Sequence, residues 1–118
     1  MNLEDIRNYC LKMKGTTEDT PFDETTLVFR VGNKIFALTD IEQIPIRVNL
    51  KCDPERAIDL REKYECVIPG YHMNKMHWNT IELNSDMYDE LVFELIDHSY
   101  NLIFQSLKKV EKEKILNQ

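Results

Sequence analysis

The sequence predicts an α+β fold, a mainly antiparallel sheet of about five strands with helices packed on it, in the order α-β-β-β-α-β-β-α. Three observations lead there. Two β-rich runs, 26–31 and 34–39, flank a Gly32-Asn33 pair, which tolerates the positive φ of a tight hairpin turn. The run 44–51 alternates, with Ile46, Val48 and Leu50 on one side and Arg47, Asn49 and Lys51 on the other. Helical patterns precede, divide and follow the strand runs, and the connections between strands are short, which favours antiparallel pairing.

Each element has a local reason. Asn2 can cap a first helix, with Asp5 at the third helical position, and Leu3, Ile6, Cys10 and Met13 share a face until Gly15 ends it. Residues 16–24 are polar and read as a loop. Pro45 stands at the start of the third strand, where a missing donor is tolerated. Asp53-Pro54-Glu55 is a helix start, since Asp caps, Pro fits the first turn and Glu suits the dipole. That helix should run to about 65. Short strands follow at 66–68 and 78–83. Ser85 or Asp86 should cap a last long helix over about 87–107, apolar over a wide arc and so heavily buried. The tail 108–114 alternates charge and reads as its solvated end.

Composition sets the class. The 118 residues make one domain, 1–118, with 42% apolar and 31% charged side chains, the balance of a globular chain. No apolar run approaches the roughly 20 residues that span a bilayer, and the N-terminus lacks a signal-peptide layout. Cys10, Cys52 and Cys66 form no C-x-x-C pair, which suggests reduced thiols. Together these point to a cytoplasmic protein with no membrane partner. The net charge of −6 disfavours nonspecific attraction to phosphate backbones. It is uneven: residues 1–26 and 84–118 each carry −3, whereas 27–83 hold eight basic and eight acidic side chains. A basic face can form only in that middle segment.

The segment 69–81 stands apart from this scaffold. It packs His72, Lys75, His77 and the chain's single tryptophan, Trp78, into thirteen residues without one acid. His72 and His77 are five apart, with Cys66 the nearest third donor, and structural zinc sites use tighter pairs. No metal or other cofactor is therefore expected. Imidazole titrates near neutral pH, so a general acid–base histidine, oriented by a group such as Asp97, is chemically open. Yet no Ser or Cys nucleophile has an evident partner and no carboxylates pair nearby, so the chain leans away from an enzyme. Two readings remain beside pure scaffolding. Asn, Lys, His and aromatic side chains can meet bases and phosphates. The same loop, from His72 to Trp78, can instead serve a protein partner or a small ligand. Asn74 suits local backbone bonding and Trp78 suits packing, so both are expected to be structural.

The pattern P-x-x-H-x-N-K-x-H-W-x-T, carried by Pro69, His72, Asn74, Lys75, His77, Trp78 and Thr80, resembles the MmcQ/YjbR family of small bacterial proteins. Asn49-Leu50-Lys51 before Pro54-Glu55 resembles the family's L-K-x-x-P-E segment, and Asp97-His98-Ser99-Tyr100 its D-x-S-Y. The resemblance implies a DNA-binding protein with a double-wing arrangement, which agrees with the lean away from an enzyme and with the absence of an expected cofactor. Carried over here, the wings would include the 26–39 hairpin with Arg30 and Lys34. With the open-face Arg47 and Lys51 and the loop residues His72, Lys75 and His77, these form the expected nucleic-acid-binding set.

Overall fold

The computed structural model describes residues 1–71 and 73–118. The first helix, α1 (Leu3–Leu11), begins with the expected reciprocal cap: the Asp5 N–H donates to Asn2 Oδ1 at 2.9 Å and the Asn2 N–H to Asp5 Oδ2 at 2.8 Å. The chain then departs from expectation. Residues 16–24 are not all loop, because Thr16–Asp19 form a strand, β1, at the sheet edge. Its four polar residues carry no apolar alternation to betray it. It is fixed instead by pairing with the next strand and by Glu18, whose carboxylate takes the Arg7 Nε–H of α1 at 2.8 Å.

Strands β2 (Thr26–Val31) and β3 (Lys34–Asp40) form the expected hairpin, with Gly32 at φ +64°. A bulge in β3 pairs Phe29 with Ala37 and Arg30 with Ile35, leaving Phe36 as the extra residue. Phe36 and Ala37 are consequently both buried, and the Phe36 ring meets Tyr100 edge-on at 5.3 Å. Strand β4 (Arg47–Lys51) starts three residues later than the run 44–51 suggested. Helix α2 (Pro54–Lys63) follows the Asp53 cap, and β5 (Val67–Pro69) and β6 (Trp78–Glu82) complete the sheet. The described residues thus form six strands rather than about five, in the order β1-β2-β3-β4-β6-β5, all antiparallel.

The last helical region differs in two ways. Helix α3 (Asp89–Ser106) starts after Tyr88 without a side-chain cap. Asp86 is spent elsewhere, accepting the N–H groups of Glu65 at 2.7 Å and Cys66 at 3.0 Å, so it fixes the entry to β5. The tail is not a solvated continuation either. The chain turns at buried Leu107 into a separate helix, α4 (Lys109–Leu116), whose Ile115 is buried against Gly15. Gly15 has φ +75°, and a Cβ there would lie 2.9 Å from Ile115, so the residue is required both for its backbone and for the close approach.

The helices gather on one face of the sheet. α3 buries Val92, Leu95, Ile96, Ser99 and Ile103. Ser99 Oγ accepts the Lys51 N–H at 2.9 Å, which locks α3 to β4. The Tyr9 hydroxyl donates to Asp97, tying α1 to α3, and Arg56 pairs with Glu94 at 2.8 Å, tying α2 to α3. The opposite side chains of the strands face the other way. Pairing places Val28, Leu38, Asn49, Thr80 and Ile68 in one row across β2, β3, β4, β6 and β5. From Leu38 to Ile68 that row is the floor of the site.

Candidate functional site

The open face holds a cleft of about 770 Å³. Its floor is the row Leu38, Asn49, Thr80 and Ile68, extended by Thr26, Asp40 and Arg47. Phe22 and Asp23 wall it from the turn before β2, and Tyr71 and Met73 from the loop after β5. Phe22 and Tyr71 are each 66% exposed, so the aromatic surface is available to a ligand.

Polar groups on the floor divide into spent and unspent. The Thr80 hydroxyl donates to Asn49 Oδ1 and accepts the Tyr71 N–H at 3.0 Å, which anchors the 70–77 loop to the sheet. Asp23 accepts the N–H groups of Thr25 at 2.9 Å and Thr26 at 2.6 Å and both threonine hydroxyls. Those bonds, led by the Thr26 N–H, hold its carboxyl below the usual range. The Asn49 side-chain N–H₂ has no partner among the described residues. Among the described residues Arg47 has only Glu82, at 3.5 Å, and Asp40 accepts one bond, the Glu42 N–H at 3.0 Å.

The loop over the cleft is held from behind by Arg61, a residue the sequence did not single out. Its Nε–H donates to Asn79 Oδ1 at 2.7 Å, and its terminal N–H groups reach the carbonyls of Lys75 and Trp78. Asn79 is 1% exposed and donates onward to the Ala57 carbonyl at 3.3 Å. Within the loop, Asn74 Oδ1 accepts the Met76 N–H at 2.9 Å, and the Asn74 carbonyl accepts from His77 and Trp78. At Gly70 an added Cβ would fall 2.7 Å from the Trp78 Cβ and 2.9 Å from its carbonyl, so the two limbs of the loop touch there.

The expected nucleic-acid set is not gathered into one patch. Arg30, Arg47 and Lys51 project from the open face, but Arg30 lies 3.6 Å from Asp19 and Arg47 is paired with Glu82. Lys34 lies on the covered side, its ammonium at the C-terminal end of α3, donating to Ser106 Oγ at 3.2 Å. Lys75 is exposed, with Nζ 3.4 Å from the Gly70 carbonyl. The half-buried His77 gives its carbonyl to the Cys52 N–H at 2.8 Å. Trp78 is half-buried and is not a cleft wall. His72 lies outside the described residues. Of the thiols, Cys66 is buried, and burial together with the Asp86 carboxylate pushes it up to about 12; Cys10 also rises to about 12 and Cys52 to about 11, chiefly from burial. Such thiols are poor nucleophiles at neutral pH. No described helix is long and apolar enough to cross a membrane.

The model of the YjbR family matches residues 11–102. The chain belongs to that family. It is 32% identical to YjbR of Escherichia coli (strain K12), covering 100% of this chain and 99% of that one. It is 31% identical to YyaQ of Bacillus subtilis (strain 168), covering 84% and 95%. The Deinococcus radiodurans protein DR2400, a DUF419 domain, superposes with a TM-score of 0.92 at 40% identity, covering 97% of this chain and 87% of that one. A Pseudomonas syringae protein superposes with a TM-score of 0.76 at 31% identity, covering 87% and 99%. The YjbR and YyaQ relatives are named as uncharacterized proteins, so the family's function is not established and the site must carry the functional argument.

Phe22, Leu38 and Ile68 were not singled out by the sequence. A signal existed for two of them. The alternation read in β4 places Asn49 outward, and the residues that pair with it, Leu38 directly and Ile68 through Thr80, must share that face. Only the register names them, because sequence alone does not align one strand with another.

Proposed function

We propose that this protein is a small-molecule-binding module that seats its ligand on the open sheet face. The observation that carries the reading is the cleft: its volume lies in the range of ligand sites, and apolar and aromatic side chains share its lining with polar and charged groups on the floor. The loop that carries the family pattern contributes through Tyr71 and Met73, its two described residues at the wall.

The test is a small-molecule fragment screen by ¹H–¹⁵N NMR. Fragments should shift the resonances of Leu38, Asn49, Ile68 and Thr80 together. Leu38→Trp fills the floor and should abolish those shifts while the spectrum stays folded. Fragments that bind only elsewhere, or shifts that survive Leu38→Trp, would reject the cleft as the site.

A second reading, DNA binding, keeps one specific support. Lys51 and Trp78 are cross-strand partners on the open face, an ammonium with no ion-pair partner among the described residues beside an aromatic ring. That pairing suits a phosphate and a stacked base. Titration of labelled single-stranded and duplex DNA at about 20 mM and at physiological salt tests it, because few cations are available and affinity should fall steeply with salt. Absence of binding at the lower salt removes this reading and leaves the first intact.

A further inference from the structure

We propose that the cleft ligand is a free apolar α-amino acid, held as a zwitterion. This rests on the ligand-cleft reading and adds the chemistry of the occupant.

The argument is one of complementarity. The groups with bonding capacity to spare are of two kinds, and Arg47 is among them because its 3.5 Å ion pair with Glu82 uses none of its N–H groups in a hydrogen bond. Arg47 and the Asn49 amide are donors, two residues apart on one side of β4. Asp40 is an acceptor on β3. The pairing of the two strands ends at Leu38 with Asn49, and beyond it Asp40 and Arg47 line the cleft from adjacent strands. All three side chains line the same cleft, and no ion pair within 4.0 Å joins Asp40 to Arg47. Two opposite charges held on adjacent strands but not spent on each other suit a ligand with both charges a short distance apart. An ammonium and a carboxylate on one carbon meet that demand. The carboxylate would take the guanidinium and the Asn49 N–H₂, and the ammonium would face Asp40.

The local charge argues against simpler ions. Asp23 and Asp40 oppose a single lining guanidinium, and Glu82 sits 3.5 Å behind it. A plain organic acid or phosphate would meet net negative potential. Asp23 adds to that potential but has less acceptor capacity than Asp40, since Oδ1 already serves Thr25 and the Thr26 N–H and Oδ2 the Thr26 hydroxyl. A plain amine would leave the Arg47 and Asn49 donors unused. The remaining lining, Leu38, Ile68, Met73, Phe22 and Tyr71, suits an apolar or aromatic side chain.

The experiment titrates L-phenylalanine, N-acetyl-L-phenylalanine and L-phenylalaninamide into the full chain, read by calorimetry and by NMR shifts. The acetyl derivative lacks the ammonium and the amide lacks the carboxylate. The amino acid should bind at least about tenfold more tightly than either, the scale of one lost charge-assisted contact. Asp40→Asn should erase the preference over the acetyl derivative, and Arg47→Gln the preference over the amide. A parallel titration with L-leucine shows whether an aliphatic side chain suffices; its binding extends the assignment to apolar amino acids, and its failure overturns that breadth. Equal binding of the three phenylalanine compounds overturns the zwitterion assignment and leaves the cleft reading standing. If these three and the fragment screen all fail to reach the cleft, both fall.

Discussion

The two faces of the sheet are made from the same strands and have opposite economies. On the helix face, Phe29, Val31, Phe36, Ala37, Val48 and Leu50 are all 2% exposed or less, and a buried polar group such as Ser99 is matched by a backbone partner. On the open face the register row runs from fully buried Val28 through half-buried Leu38 and Asn49 to Ile68 at 42% exposure. Polar groups there keep unspent donors and acceptors. The covered face holds the fold, while the open face carries the cleft. A bulge of one residue in β3 separates them, since it turns both Phe36 and Ala37 to the helices and returns Leu38 to the cleft.

Paired truncations across that bulge should show the largest contrast. Phe36→Ala removes a fully buried ring from contact with Tyr100 and should cost about 3–5 kcal/mol in urea unfolding. Leu38→Ala removes a half-buried side chain from a floor that water already reaches, and should cost about 1–2 kcal/mol. Ligand binding should respond in the reverse order among variants that fold. Equal stability losses at the two positions would break the division of labour.

A smaller effect sharpens it. Asn79 lies on the covered side but organises the loop of the open side, because it holds Arg61, which holds the Lys75 and Trp78 carbonyls. Asn79→Ala leaves the Ala57 carbonyl and the Arg61 guanidinium short of a partner and should cost about 1–3 kcal/mol. Hydrogen exchange should then quicken at the His77 and Trp78 amides, which bond within the loop, and stay slow at the β2–β3 amides. Uniform quickening would mean that the clamp serves the whole domain.

These contrasts also explain what could be read in advance. Helix starts were legible because caps are local: Asn2 with Asp5, and Asp53 before Pro54, need no tertiary partner. The Gly32 turn and the alternation of β4 are local too. Strand β1 escaped because Thr16–Asp19 is polar and owes its strand state to β2 and Arg7. Asp86 looked like a cap and instead serves the backbone of residues 65–66, twenty residues upstream, a choice made by tertiary packing. The site was half legible for the same reason. Its loop announced itself by composition, and its floor depended on cross-strand register. The cations that charge counting offered as a set were dispersed by pairing, with Arg30 beside Asp19, Arg47 beside Glu82 and Lys34 at the end of α3.

The smallest expected effect concerns pH and belongs to the covered side alone. The Asp53 N–H, at the start of α2, donates to His98 Nε2 on α3 at 3.1 Å. That bond requires an unprotonated nitrogen. Burial, aided by the Arg56 guanidinium, lowers the His98 pKa, while Glu94 and Asp53 act weakly the other way. The folded form therefore resists the proton more than the unfolded chain, whose histidine titrates near 6.5. Above that value both states are neutral and the contact contributes its full stability. As pH falls below it, the unfolded chain takes up a proton first, and the contribution declines until the folded His98 titrates as well. His98→Gln retains a hydrogen-bond acceptor without a titration. The urea midpoint of the parent should therefore fall relative to His98→Gln as pH drops through the window just below 6.5, and run parallel to it above. Parallel curves throughout would show that His98 is protonated equally in both states and that its bond to Asp53 contributes nothing. Ligand affinity measured at a fixed pH should be the same in parent and variant, because His98 lines neither wall nor floor of the cleft.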